Sequence, residues 1–584
     1  MLDPRIYRAA FLPAALAVIL AAFSLEPRPG PLTTTLTADA FEGPRAAREL
    51  RELAQLFPRR RAGGAADAAL AGRVEASFRE AGFDTSHHVF QGRTVSGERE
   101  LSTVVGVRVG SSARRLLVLA HRDAANGPAA AELSGTVALL ELARVFAGRK
   151  LRRTLVLAST SGGGAGVADL AERAGGGVDA ALVLGDLAGP RLRRPMVVPW
   201  SNGLGTAPLV LRRTVEEAVR AETGLAPGAP GLAAQLARHA YPLTTGEQGE
   251  LAARAVPAVL LGVSGELGSG GSPDVSAGRF AAFGRATLRA LTALDGAPSL
   301  QRRPRAELVA RRNVVPGWAI RLLIGALLLP VLVAVVDALA RARRRREPVG
   351  VWFGWIAACA APFLLVWLFA RLAALTGVIG ASQGAPVAAD GTALDGAARG
   401  VLAAAGAVLL LGWVVVRPAI TRLAGVRGDL SSGGPAAAAA ATMCAVTAGV
   451  WLSNPFAAAM LLPALHLWTL ATLTGARLRR PAALAVPLVG LAPLLGLAVH
   501  YAAALELGPA SAAWHALLLA AGGHAGPGTA VALAAVLGSA VAVAAVLWAR
   551  ASVEVASPGV TPGGPLGYPG PGSLGGTQSG FARR

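Results

Sequence analysis

The chain reads as an α/β domain over a mostly parallel sheet, joined to a polytopic all-α transmembrane domain. Three observations predict this class. Of 584 residues, 53% are hydrophobic and only 16% charged, against about a quarter charged in an ordinary soluble chain. Beyond Pro316 the apolar residues gather in runs of about twenty, the length of a helix that crosses a bilayer. From about residue 26 to 315 the composition is mixed. Short apolar runs alternate there with helical patterns, as where helices pack on a parallel sheet.

The first element is the apolar run from about Ile6 to Leu25, preceded by Arg5 and interrupted by Arg8. It has the make-up of a signal peptide or a signal anchor. With no small-x-small cleavage site before Glu26, an uncleaved anchor over 1–25 is the expectation. An extracytoplasmic domain over 26–300, a linker over 301–315 and a transmembrane domain over 316–550 should follow. Spans are predicted at 317–340, 351–371, 399–416, 435–453, 456–475, 482–504 and 529–549, about seven helices in all. The stretch 510–523, closed by Gly522, Gly523 and Pro527, is too short and reads as re-entrant or interfacial. Residues 551–584 form a Pro/Gly-rich tail that lacks the apolar residues for a core and is expected to be disordered.

Arginine sets the orientation. Arg341 and Arg343 to Arg346 follow the first of these spans, Arg417, Arg422 and Arg427 the third, and Arg477, Arg479 and Arg480 the fifth. The loop 377–398, with Asp390 and Asp395, is poor in arginine. Basic loops face the cytoplasm, so the chain should be integral to a bacterial cell membrane with both termini cytoplasmic and residues 26–315 extracytoplasmic. The net charge of +21 rests on 56 basic residues, of which only Lys150 is lysine, the coding bias of a GC-rich bacterial genome. Because the densest arginine clusters abut apolar spans, the expected partner is the lipid bilayer and not nucleic acid. Cys359 and Cys444 both fall in apolar stretches, so the polar part holds no disulfide and no thiolate metal site.

Inside the polar part, strands are predicted at Leu101–Val109, Arg115–Ala120, Thr154–Ser159, Ala180–Leu184 and Val256–Val263. Helices are predicted at Glu132–Phe146 and Ser276–Leu294. Sites on such sheets gather at the carboxyl ends of strands. There the chain presents His121-Arg122-Asp123, then Glu132-Leu133-Ser134-Gly135 before a helix, then Ser161-Gly162-Gly163-Gly164, then Asp186.

This order of strand ends resembles the co-catalytic zinc exopeptidases of clan MH, metallopeptidase family 28, the aminopeptidase Y and glutaminyl-cyclase-like group. The segment PRRRAGG before a helix ending in REAGFD, and AVPAVLLG, resemble further motifs of that family. The likeness covers roughly residues 40–295 and implies an α/β/α sandwich. It also implies two zinc ions held by His, a bridging Asp, Glu, Asp and His, with a second Glu as general base. His121 and Asp186 match the first and fourth ligands. The bridging aspartate falls on Ala131, the Glu-Glu pair on Gly163 and Gly164, and the late histidine near Gly271-Ser272-Pro273-Asp274. His121 and Asp186 are thus residual metal ligands, with Asp123, Glu132, His239 and Glu247 as substitute donors. Zinc needs at least three protein ligands even in an open site. The overall plan is similar to membrane-bound members of the family and to the aminopeptidase-like subunit of the GPI transamidase.

Other signals are weaker. Gly380-Ala381-Ser382-Gln383-Gly384 spells G-x-S-x-G but follows a membrane span, where no nucleophile elbow forms. His87 and His88 sit on a predicted strand and face opposite sides. His466, His500 and Glu506 read as helix-packing or interfacial residues, with a polar pathway as the alternative. Gly162 to Gly164 lack the Lys of a phosphate loop. The expected function is that of a membrane-anchored, catalytically degenerate peptidase homologue that binds a peptide, an envelope protein or a partner subunit. No cofactor is expected, or zinc if the protein is active. The alternatives are an exopeptidase with non-standard ligands and a transporter or lipid-handling domain with an accessory ectodomain.

Overall fold

The computed structural model describes residues 4–36, 38–94, 97–124, 127–174, 176–301, 304–380, 394–474 and 478–555. The predicted tail beyond 555, Asp390, Arg477 and most of the G-x-S-x-G segment lie outside the described residues. Two short helices, α1 (Pro4–Ala9) and α2 (Leu12–Phe23), precede β1 (Glu26–Pro27). Next come α3 (Gly43–Leu56), α4 (Ala65–Glu80), β2 (Asp84–Thr94), β3 (Gly97–Arg108), β4 (Ser112–His121), α5 (Ala130–Phe146), β5 (Arg153–Thr160), α6 (Gly164–Ala174), β6 (Val178–Leu184) and β7 (Val197–Val198). Then follow α7 (Leu209–Thr223), α8 (Leu232–Ala240), α9 (Gln248–Ala253), β8 (Ala258–Leu261), α10 (Ala277–Gly296), β9 (Leu308–Val309) and β10 (Asn313–Val315).

The main sheet runs β2-β3-β5-β4-β6-β8-β7. Its central strands β5, β4, β6 and β8 are parallel. The outer pairs β2–β3, β3–β5 and β8–β7 are antiparallel. The sheet is therefore mixed, which corrects the expectation of a mostly parallel one. β2 and β3 form a hairpin with Thr94 opposite Gly97, and so short a connection cannot carry a parallel crossover. A second small sheet pairs β1 with β10 and β10 with β9, so Glu26 lies opposite Val314.

Alternation along β4 explains why the sheet is buried on both faces. Leu116, Val118 and Ala120 enter one core with α3, α4, α5, α7 and α10. Leu117 and Leu119 enter another with α6, α9 and Trp200. Two buried faces require a nearly unbroken apolar run, which LLVLA supplies. α5 is buried on almost every side. Its Glu141 is charge-paired with Arg45 at 2.6 Å and Arg144 at 3.3 Å, as a buried carboxylate requires.

The apolar part comprises α11 (Gly317–Arg344), α12 (Val349–Leu375) and α13 (Gly396–Leu411), which runs through a π turn (Gly412–Val416) into α14 (Arg417–Leu423). Beyond them lie α15 (Gly433–Ser453), α16 (Pro455–Leu473), α17 (Arg480–Gly490), α18 (Ala492–Ala504), α19 (Pro509–Gly522) and α20 (Pro527–Val555). Among the described residues six helices are long and apolar enough to cross a membrane. The stretch expected as one span over 482–504 is instead the pair α17–α18, bent by 54°. Pro487 and Pro493 flank the bend, and a proline removes a helical hydrogen bond and crowds the preceding turn. His466 ties helices together: Nε2 donates to the Leu327 carbonyl at 3.0 Å, which leaves Nδ1 to accept from the Tyr7 hydroxyl at 2.7 Å. That is the helix-packing role.

Gly135 shows how tightly α5 lies on the sheet. A Cβ there would sit 2.4 Å from the Leu184 carbonyl oxygen and 2.9 Å from that of Gly185. Gly135→Ala should cost about 1–3 kcal/mol of stability, as overpacking does. Gly72→Ala, on the exposed side of α4 with nothing within 4 Å of the new methyl, should stabilise by about 0.5–1 kcal/mol. Denaturant midpoints of the two variants should move in opposite directions.

Candidate functional site at the carboxyl ends of the strands

Arg122, the residue after β4, points into the protein and is fully buried. Its Nε is ion-paired with Asp67 Oδ1 at 2.8 Å. Its Nη1 donates to the Ser159 carbonyl at 2.9 Å, and its Nη2 to the Ser102 carbonyl at 2.9 Å and hydroxyl at 2.7 Å. Arg60, also fully buried, donates from Nε to the Arg122 carbonyl at 2.8 Å and from Nη1 to Pro128 O at 3.0 Å. Its Nη2 donates to Ala129 O at 2.6 Å. Ala129 has φ 38°, a strained value for a residue with a Cβ, and the Arg60 bond holds it there. Asp67 Oδ2 accepts from Gly63 N at 3.0 Å and from the Ser161 hydroxyl at 2.5 Å. Two arginines and one aspartate thus knit the loops after β4 and β5 to the one before α4. The sequence motifs contain Arg60 and Arg122 but give neither them nor Asp67 a structural role. The one available signal was an arginine directly behind a fully apolar strand, where a solvated face is not expected.

Above this layer stands His121, whose side chain is 27% exposed. Its Nδ1 lies 3.7 Å from Glu247 Oε1, an ion-pair distance too long for a hydrogen bond. Burial lowers the affinity of its imidazole for a proton, but the Glu247 carboxylate, with Asp123 and Glu132, outweighs burial and pushes the pKa up to about 9. His121 is therefore an imidazolium at neutral pH. Asp123 is pushed up to about 6, by burial first and by the Asp67 and Glu247 carboxylates, against the pull of His121 and Arg122. Both carboxylate oxygens of Glu247 and Oδ1 of Asp123 are buried without a hydrogen-bond partner. A pocket of about 580 Å³, lined by Pro58, Arg59, Ala66, Gly127 and Pro128, lies against the loops that Arg60 ties.

The remaining candidates are engaged elsewhere. Asp186, at the end of β6, accepts from Ala188 N at 2.9 Å and Gly189 N at 2.6 Å on Oδ1, and from the Ser264 hydroxyl at 2.8 Å on Oδ2. Burial raises its pKa against these bonds and Arg279. Glu132 accepts from Gly271 N at 3.1 Å and, at 3.4 Å, from the Ser269 hydroxyl. Ala131 N donates to Ser272 O at 3.3 Å, so the segments around 131 and 271 do meet. His239 is remote from this group: its Nε2 donates to Glu307 O at 3.0 Å and its ring stacks on Phe456 of α16 at 4.5 Å. Burial lowers its pKa to about 4. His87 lies 3.3 Å from Glu75 and His88 3.5 Å from Asp169, separate partners as their alternation implied. Among the described residues no three His, Cys, Asp or Glu side chains come together as a group able to hold a metal ion. The donor set does not fit zinc, which needs at least three protein ligands together, and the described donors form no such group.

No protein-family model matches the chain, and no curated protein matches it. Solved structures do. A glutaminyl cyclase from an Acidobacteriales bacterium is 14% identical, with a TM-score of 0.36, over 45% of this chain and 97% of that one. A leucine aminopeptidase precursor from Bacteroides thetaiotaomicron is 13% identical, TM-score 0.36, over 44% and 98%. A zinc aminopeptidase from Bacillus subtilis is 9% identical, TM-score 0.36, over 45% and 98%.

Two predictions come from this geometry. Arg122→Ala leaves Asp67 as a buried, unpaired charge and should cost about 3–5 kcal/mol, while Arg122→Met with Asp67→Leu should recover part of the loss. The second concerns pH. The folded pKa of His121 lies above its ordinary 6.5, so its stabilisation is full below that value and is lost as pH rises through about 9. Thermal midpoints of the wild type should fall across that window, and His121→Ala should flatten the fall.

Proposed function

We propose that this chain is a membrane-anchored protein whose extracytoplasmic domain has the α/β/α fold of the zinc exopeptidases, without their catalytic site, and binds a peptide or protein partner at the strand ends around His121 and Glu247. The observation that carries this reading is the state of the strand-end donors. Asp186 spends both oxygens on the 188–189 loop and Ser264. Glu132 caps the 269–271 loop, and Gly163 and Gly164 bring no side chain where the family resemblance implies a ligand and a base. Without a base beside the water, hydrolysis forgoes the roughly 10²–10⁴-fold gained from proton transfer. What remains is suited to binding: an imidazolium at His121 and three buried carboxylate oxygens, on Glu247 and Asp123, with no protein donor. Buried acceptors of this kind are stabilised by a donor from outside, water or the N–H groups of a ligand. The six apolar helices, the bent pair and the alternating basic loops support insertion in a bilayer with residues 26–315 outside.

The full chain, purified in detergent without chelator, should hold far less than one zinc ion and release no amino acids from a peptide library. Two tightly held zinc ions, or chelator-sensitive turnover abolished by His121→Ala, would replace this reading with that of an active exopeptidase. A reporter that fluoresces only in the cytoplasm should be dark when fused at residue 200 and bright at residue 346. The reverse pattern would overturn the orientation.

A further inference from the structure

We propose that a ligand donor reaching Glu247 at the strand ends is sensed by the bent helix pair α17–α18 through the 241–247 loop, with α18 as the lever. The inference rests on reading the strand ends around His121 and Glu247 as a binding site. One end of the loop is Glu247, which faces His121 at 3.7 Å. Its other end is fastened to α18: the Tyr501 hydroxyl donates to the Tyr241 carbonyl at 2.5 Å. Between these ends the loop is clamped to one buried ion pair. Arg238 binds both carboxylate oxygens of Glu266, at 2.9 and 2.6 Å, and donates to the Leu243 carbonyl at 2.5 Å. Thr245 donates its N–H to Glu266 Oε1 and its hydroxyl to Glu266 O, each at 3.1 Å. The same guanidinium lies over the Tyr501 ring at 5.0 Å and the Trp200 ring at 5.5 Å. His121 is therefore linked to Tyr501 by the charge contact to Glu247, the backbone from Glu247 to Thr245, the hydrogen bonds of Thr245 and Arg238 to Glu266, and the stacking of Arg238 on the Tyr501 ring.

α18 is built to respond. Its only buried residue is Tyr501, while Leu495 and Val499 are exposed on the bundle surface. Few packing contacts therefore resist a tilt. Its far end is held to the α/β domain a second time, by Arg193 and Glu506 at 2.7 Å. Its near end is the 54° bend. There Gly490 lets the chain pass the Trp468 indole, since a Cβ would sit 2.2 Å from Nε1. A helix pinned at its tip to a loop and broken at its base has the form of a hinge. The driving difference is at Glu247. Its two oxygens face the His121 charge but hold no hydrogen bond, and a ligand donor that bonds them in one loop position better than in another shifts the equilibrium between the two.

The test places spin labels on the full chain in lipid nanodiscs, at Val499→Cys on α18 and Leu452→Cys on α15, both exposed, with Cys359→Ala and Cys444→Ala. Pulsed EPR reads the distance. His121→Ala, which removes the charge facing Glu247, should shift the distribution by at least about 1–2 Å, and Glu247→Gln, which removes the other charge of that pair, should shift it in the same sense. Adding Tyr501→Phe should abolish both responses. An unchanged distance in Glu247→Gln protein that elutes as a single species overturns the proposal, as does a shift that survives Tyr501→Phe. Zinc-dependent peptide turnover would sink the binding-module reading yet leave the EPR response in place. A silent EPR result would leave that reading standing and remove only the lever.

Discussion

Everything at the site depends on the burial of one guanidinium. Arg122 follows the apolar strand β4 directly, and its side chain turns under the sheet end instead of toward solvent. A charge so placed is tolerable only with a counter-charge and full hydrogen bonding. Asp67, Ser102 and Ser159 supply both. Those partners belong to α4, β3 and β5, so satisfying one residue fixes the edge of the sheet relative to the first long helices. Arg60 extends the same logic to the loop before α5. His121, carried on the other side of Arg122's backbone, inherits a rigid footing, and its imidazole meets Glu247 at a fixed distance.

How much of this could be read from the chain follows from the kind of signal each feature leaves. LLVLA, TLVLAST and ALVLG are apolar runs bounded by charge or glycine, and β4, β5 and β6 appear where they were expected. The antiparallel flanks left no such trace, because hydrophobic periodicity carries no information about strand direction. The bend within 482–504 was written in Pro487, Gly490 and Pro493, but a count of apolar residues averages over it. Side-chain partners were least legible. Glu132 sits one residue from the position of a bridging ligand, yet its oxygen caps Gly271. His239 lies on the α8 face that meets Phe456, a placement that only tertiary packing decides.

The α/β domain and the apolar helices do not meet through hydrophobic contact alone. Asn454 donates to the carbonyls of His239 and Ala240 at 2.8 and 3.1 Å, which satisfies the C-terminal end of α8 while its own carbonyl oxygen caps α16. Free carbonyls at a helix end must find donors. Finding them in another helix's capping residue makes the two elements share one junction. The Arg238–Glu266 pair, under the Tyr501 ring, is a second junction of the same kind. Polar junctions are directional, so they fix register where apolar surfaces would slide.

The strand-end loops are therefore organised by covalent chain and hydrogen bonds belonging to the protein itself. The 188–189 loop hangs on Asp186, the 269–271 loop on Glu132, the 127–129 turn on Arg60, and the 161–163 turn on Asp67 through Ser161. The acceptors so used hold the loops in place, Asp186 Oδ1 through two backbone N–H groups and Glu132 and Asp67 through one N–H and one hydroxyl each. Glu247 and Asp123 differ in kind: their buried oxygens organise no loop. Among the described strand-end carboxylates, these keep buried oxygens free of loop-holding bonds, and Glu247 sets them at one place. That place is the end of the loop which Tyr501 holds from the far side.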